Sequence, residues 1–164
     1  MEEFLKKLEQ SIKQIAQWGM QEVRMKNALF VLQGQLVTIY SLYFEAKSLT
    51  GAREIATSPD FDVSGLLKSI RRNLPQLGVY PITSAVDQME DIEWVNVDAA
   101  ENLTRIIYEL LVVEWHLRNS RGEEALWQFI FCFENYIKEH LSNLIYYLSH
   151  HHDQSDRAKH LTMQ

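Results

Sequence analysis

The sequence predicts an all-α protein, a single-domain antiparallel bundle of four to five helices. Three observations carry this. Helix breakers are scarce: 164 residues hold 6 glycines and 3 prolines, while Leu, Ile, Glu, Lys and Gln are plentiful. Apolar residues make up 46% of the chain, enough for one real core at this length. Apolar positions recur every three or four residues over long stretches, the period of a helix that buries one face.

The first helix is expected from Glu2 or Glu3, where acidic residues suit the positive end of the helix dipole. Its stripe is Phe4, Leu5, Leu8, Ile12 and Ile15, and Gly19 marks a break or kink. A second helix is expected from about Gln21 to Leu49. Its apolar residues, among them Val23, Leu29, Phe30, Leu32, Leu36, Val37, Ile39, Tyr40, Tyr43 and Phe44, cover more than one face. That breadth predicts a central helix buried on several sides. Thr50-Gly51 is a helix stop, and the stretch from Thr57 to Asp60, with Pro59, reads as a loop. Asp62 or Ser64 then caps a short helix over Val63 to Asn73, with Leu66, Leu67 and Ile70 facing inward. Pro75, Gly78 and Pro81 punctuate the segment from Leu74 to Trp94, which predicts turns and one short helical piece near Ala85 to Met89.

The last third of the chain predicts a helical hairpin. Asp98 is an N-cap with Glu101 in the capping-box position, and Leu103, Ile106, Ile107, Leu110, Val113 and Leu117 form one stripe. The turn Asn119-Ser120-Arg121-Gly122 ends that helix. Glu123 and Glu124 open the last one, which runs to Ser149 on Leu126, Ile130, Phe133, Ile137, Leu141 and Leu144. Read locally, Trp127, Phe129, Phe131 and Phe133 at alternate positions resemble a strand. The helical flanks and the lack of a hairpin partner decide for helix, and Phe129 and Phe131 then point to different sides. The hairpin is expected to pack against the Gln21–Leu49 helix. Residues 1–149 form the one domain and 150–164 a polar tail that frays.

Charge and composition exclude several functions. The net charge of −6 argues against sequence-independent nucleic-acid binding, which needs cationic patches. Lys68, Arg71 and Arg72 make a tight basic cluster, which reads as a solvated helix face. A lone cysteine, Cys132, excludes an internal disulfide and a disulfide scaffold. No signal peptide follows Met1, and no apolar run is long enough to cross a bilayer, so no membrane role is expected and the expected location is the bacterial cytoplasm.

Chemical candidates are few. His140, on the inner side of the last helix, is either a ligand or proton carrier or, more commonly at such positions, a histidine bonded locally. Glu109, Glu114 and His116 fall on different faces of one helix, and Glu101, Glu109 and Glu114 are too sparse for the magnesium helices of nucleotide-cleaning phosphohydrolases. His150, His151 and His152 lie in the tail, without a second shell to orient them. Cys132, flanked by Phe131 and Phe133, reads as a small core hydrophobe. There is no phosphate-binding glycine loop, no zinc-spaced Cys/His set and no nucleophile elbow, so neither a cofactor nor a metal site is expected.

From about Leu42 to Ser149 the chain resembles a bacterial family of all-helical domains of unknown function. Its members carry a helix reading roughly Asp-Asp-Leu-Ala-Asp-Ile-Tyr-x-Asp-Leu, a polar turn, and a helix with alternating Trp and Phe that ends in histidines. Here the first helix reads Glu101-Asn102-Leu103-Thr104-Arg105-Ile106-Ile107-Tyr108-Glu109-Leu110, and the second runs from Trp127 through Phe129, Phe131 and Phe133 to His140. Leu42 to Leu49 and Leu77-Gly78-Val79-Tyr80 share the likeness. Asn102 and Arg105 stand where family aspartates would be, and Tyr136 replaces the first histidine. The resemblance therefore implies a kept scaffold around a diluted polar centre.

Two function classes follow. The first is a non-catalytic interaction module, an adaptor, complex subunit or toxin-neutralising partner, binding a protein through Tyr80, Trp94, Trp127, Phe129 and Phe131. Aromatic residues of this kind anchor interfaces. A homodimer through the aromatic hairpin is compatible with it. The second is an enzyme or ligand-binding domain with Glu101, Glu109, Glu134 and His140 converging in the bundle core around a metal or small polar ligand. That version requires the four side chains to meet.

Overall fold

The computed structural model describes residues 1–49, 59–83 and 94–161, with side chains as far as His150. The expected stop at Thr50-Gly51, the first half of the Thr57–Asp60 loop and the helical piece at Ala85–Met89 lie outside the described residues. The architecture is all-α: five helical rods around one core, with a small β-hairpin at the side. The rods are α1 (Glu2–Met20), α2 (Ala28–Lys47), α3 (Val63–Asn73), α4 (Ala99–Asn119) and a composite last rod. That last rod is α5 (Gly122–Cys132), a π-helical turn (Phe133–Ile137) and α6 (Lys138–Leu161). Among the described residues, no helix is long and apolar enough to cross a membrane.

α1 buries the expected stripe, Phe4, Leu8, Ile12 and Ile15, and adds Trp18, whose indole N–H donates to Gln35 of α2 at 2.8 Å. Gly19 is the last residue but one of α1, which ends at Met20, so the expected break falls where the helix stops. A Cβ there would come within 2.9 Å of Leu66 and 3.6 Å of Ile107, so the glycine lets α3 and α4 close on α1. The second helix starts later than expected. Gln21 to Asn27 is a connector, and Asn73 pins it: its side-chain amide donates to the carbonyls of Trp18 and Gln21 and accepts from the Val23 N–H. Asn27 then turns the chain into α2 with φ 59°, a left-handed conformation that asparagine tolerates.

α3 matches its expected bounds, with Asp62 accepting from the Gly65 N–H at 3.0 Å. The segment after it does not match. It forms β1 (Val79–Thr83) and β2 (Trp94–Asp98), an antiparallel pair in which Tyr80 lies across from Val97 and Thr83 from Trp94. Gly78 and Pro81 read as breakers in the sequence, yet proline is tolerated on an edge strand, and this two-stranded sheet consists of edges only. The hairpin leads directly into α4. Asp98 ends β2 and caps α4, accepting from the N–H groups of Ala100 and Glu101.

α4 is the central helix, not α2. It packs against α1, α3, α5 and α6, and buries residues around most of its circumference, from Ala99 to His116. α2 lies on the outside against α1, α5 and α6, with one apolar face left in solvent. The expected contact of the hairpin with α2 is therefore made by its last rod. The aromatic run of α5 is helical throughout. A π turn follows because Phe129, Phe133, Ile137 and Leu141, all fully buried, are spaced by four residues three times over. Each such step overshoots a helical turn by about 40° and three by about 120°, which a wider turn takes up. The backbone of α6 stays helical to Leu161, beyond the expected fraying point.

Candidate functional site

The five aromatic residues expected at a binding surface part into two groups. Phe129 is fully buried in the core, edge-on to Phe133. Tyr80 is also buried, stacked on Tyr147 at 4.7 Å with its hydroxyl 2.6 Å from the Asn102 amide nitrogen. Neither offers surface to a partner. Trp94 lies on the opposite face of the hairpin from Tyr80 and is 70% exposed, across from Thr83. Trp127 and Phe131, one helical turn apart on α5, stack at 5.1 Å with ring planes 13° apart. Phe131 is 36% exposed and continues edge-on into Tyr136, 44% exposed, on the π turn. Trp127, Phe131 and Tyr136 form a ridge of touching rings along the outer face of the last rod. The place of Tyr136 on this ridge could not be read from the sequence, because the π turn that swings it outward is not visible in a 3.6-residue pattern.

The four residues expected to converge do not. Glu101 stands at the start of α4 with its carboxylate 3.7 Å from Arg71, which also binds Asp98 at 2.9 Å. It lines an open depression of about 490 Å³ between α3 and α4, together with Val63, Leu67, Thr104, Arg105 and Tyr108. Glu134 faces α2 instead, accepting from the Tyr43 hydroxyl at 2.8 Å and pairing with Lys47 at 2.5 Å. Those bonds hold its carboxyl below the usual range, Lys47 first and Tyr43 second. Glu109 is buried against Cys132, and His140 against Asn102. Four carboxylate and imidazole groups thus have four separate surroundings. Among the described residues, no three His, Cys, Asp or Glu side chains come together as a metal site.

What does converge is a polar seam between α4 and the last rod. His140 Nδ1 lies 3.0 Å from Asn102 Oδ1, and Asn102 Nδ2 donates to Tyr80. With the amide so oriented, Nδ1 carries the proton and donates. Burial holds the imidazole below its ordinary value, partly offset by Glu139. Asn102 is the α4 residue that meets His140. An amide there closes a neutral chain of hydrogen bonds, whereas a carboxylate would orient and charge the histidine. Further along, Gln128 donates to the Cys132 sulfur at 3.1 Å, and Cys132 bonds to Glu109. Burial and the neighbouring Glu109 push the Cys132 thiol up to about 12, so it stays protonated and unreactive. Burial likewise pushes the Glu109 carboxyl up, opposed by the Cys132 hydrogen bond and by Arg105. The i, i+7 spacing of Asn102 and Glu109 could have shown that both share one α4 face, but not which helix covers it.

His116, near the end of α4, is buried with Nδ1 3.0 Å from the Ser120 hydroxyl and, among the described residues, no partner for Nε2. Burial holds it below the ordinary histidine value, and Glu124 acts in the opposite direction.

The overall shape has a solved counterpart. The crystal structure of protein BF1032 from Bacteroides fragilis superposes with a TM-score of 0.58 at 13% identity, over 90% of this chain and 88% of that one. At this identity the likeness concerns the fold alone. No protein-family model and no curated protein matches the chain.

Proposed function

We propose that this chain is a non-catalytic helical interaction module, an adaptor, complex subunit or toxin-neutralising partner of the bacterial cytoplasm, which binds a protein through the Trp127–Phe131–Tyr136 ridge. The observation that carries the reading is the ridge itself: three touching aromatic rings held on a rigid helix, with two of them well exposed. Rigid aromatics of this kind anchor interfaces, because large area is buried at little conformational cost. Support also comes from the polar seam, where Asn102 neutralises the surroundings of His140 and the carboxylates are dispersed. The bacterial source of the structural neighbour agrees with the expected origin.

The test is parallel capture from host lysate with the intact chain and with Trp127→Ser/Phe131→Ser as baits. The expected result is a stoichiometric partner held by the first and lost from the second, with both baits melting within a few degrees of each other. An identical capture profile for the two folded baits overturns the reading.

A further inference from the structure

We propose that the open edge of β2 is a self-pairing surface, on which two copies of this chain join their hairpins antiparallel, about a two-fold axis at Val95, into one continuous sheet. The ladder register decides which backbone groups are open. Ala99 donates to the Gly78 carbonyl at 3.0 Å, Tyr80 lies across from Val97, and Ile82 across from Val95. In an antiparallel ladder, pairs that exchange both hydrogen bonds alternate with pairs whose N–H and C=O point away from each other. Gly78 and Ala99 are bonded, so Tyr80–Val97 and Ile82–Val95 are the bonded pairs of the hairpin. Pro81–Asn96 and Thr83–Trp94 fall between them and turn their backbone groups outward. Pro81, which has no N–H to give the ladder, fits that assignment.

The two edges differ. On β1 the outward N–H in the middle of the strand is missing, because Pro81 stands there, and proline guards an edge against further pairing. β2 carries no such guard. Trp94-Val95-Asn96-Val97 contains neither a proline nor a charged residue, and Trp94, Val95 and Asn96 are all exposed. Among the described residues, the outward N–H and C=O groups of Trp94 and Asn96 have no partner. Burial also fades along the hairpin. Tyr80 is buried and Val97 partly so, whereas Val95, on the same face as both, is 43% exposed. This end of β2 stands clear of the helices. A sheet of two strands is marginal on its own and gains from added strands.

The occupant is a second copy because the open groups sit symmetrically about Val95. With Val95 across from Val95 of the second copy, Trp94 of each falls opposite Asn96 of the other. Each of those pairs exchanges two hydrogen bonds, and no outward group of either residue is left over. The valines at the axis meet as a close, non-bonded apolar pair, and an uncharged strand sets no like charges opposite each other. The contact is small, which places the association at about 100 µM.

Sedimentation velocity of the full chain from about 10 to 500 µM tests this. A reversible monomer–dimer equilibrium is expected. Asn96→Pro removes an outward N–H without touching a hairpin bond and should weaken the dimer at least about tenfold, whereas Asn96→Ala, which keeps that N–H, should leave it unchanged. Trp127→Ser/Phe131→Ser should leave it unchanged too, which separates this edge from the aromatic ridge. Disulfide trapping with copper phenanthroline gives a second readout. The wild-type thiol, Cys132, is buried. Val95→Cys sets two thiols directly opposite at the axis, within the reach of a disulfide, and should cross-link the copies. Trp94→Cys sets them two residues out of step and should not. A monomer throughout the range, a dimer that survives Asn96→Pro, one lost with the ridge variant, or trapping through position 94 in preference to 95 would each overturn the proposal.

Discussion

Glu109 carries a carboxyl into the interior, and its surroundings favour the protonated form. Its folded-state value is raised above the ordinary 4.5, so the folded chain holds this proton to higher pH than the unfolded chain does. Its contribution to stability is complete below that value and is lost as pH rises through the folded value. Glu109→Gln keeps the shape and removes the charge. It is expected to raise the melting temperature at pH 7 by about 2–4 °C, corresponding to about 1 kcal/mol, and to give no gain at pH 4. Calorimetry of the two proteins checks this, and a loss at pH 7 would show that the carboxylate is stabilised where it lies. His116 and His140 act in the other direction. Both are held below the ordinary 6.5, so stability is fully present above that value and falls with acidification through the folded values. Melting temperature should decline from pH 7 towards pH 5, and less steeply in His116→Leu, where no proton can be taken up. An equal slope in that variant would assign the acid sensitivity elsewhere.

At the scale of elements, the sequence was most legible where a cap and a stripe coincide. Asp62 before Leu66 and Ile70, and Asp98 before Leu103 and Ile106, placed α3 and α4 closely. It was least legible where a local signal was overridden by tertiary contacts. Pro81 and Gly78 concealed β1, and the Asn73 side chain, far away in sequence, holds Gln21 to Asn27 out of α2. The π turn left a trace in the repeated four-residue spacing from Phe129 to Leu141. Deleting the exposed Asn135 would shorten the Phe129–Leu141 span from twelve residues to eleven, about three α-helical turns, so a regular α-helix would keep Ile137, Leu141, Leu144 and Leu148 on the core. A change of less than about 1 kcal/mol in urea unfolding is expected. A loss of several kcal/mol would deny the turn its register role. The aromatics divide the same way: Phe129→Ala should cost about 3–5 kcal/mol, and Trp94→Ser less than about 0.5 kcal/mol.

At the scale of the whole molecule, the bundle could be read from periodicity because the core responds to spacing alone. Which helix is central could not be read so. α2 is apolar all round and still peripheral, while α4, with Asn102, Glu109 and His116 among its buried residues, fills the middle. A buried polar residue looks like surface in sequence until its partner is known, which is why Asn102 and Gln128 were passed over. The same blindness separated the candidate sites. Trp127 and Phe131 belong to the exposed ridge, whereas Phe129 and Tyr80 were claimed by the core and by a tyrosine stack. The result is a scaffold with a quiet interior and an exposed aromatic ridge on its last rod. The measurement that tests this most directly is quantitative capture of a partner by two folded baits, Trp127→Ser/Phe131→Ser and His140→Ala. The account predicts that the partner is lost with the first bait and retained by the second. Loss with His140→Ala and retention by the ridge variant would contradict it and move the function to the polar seam.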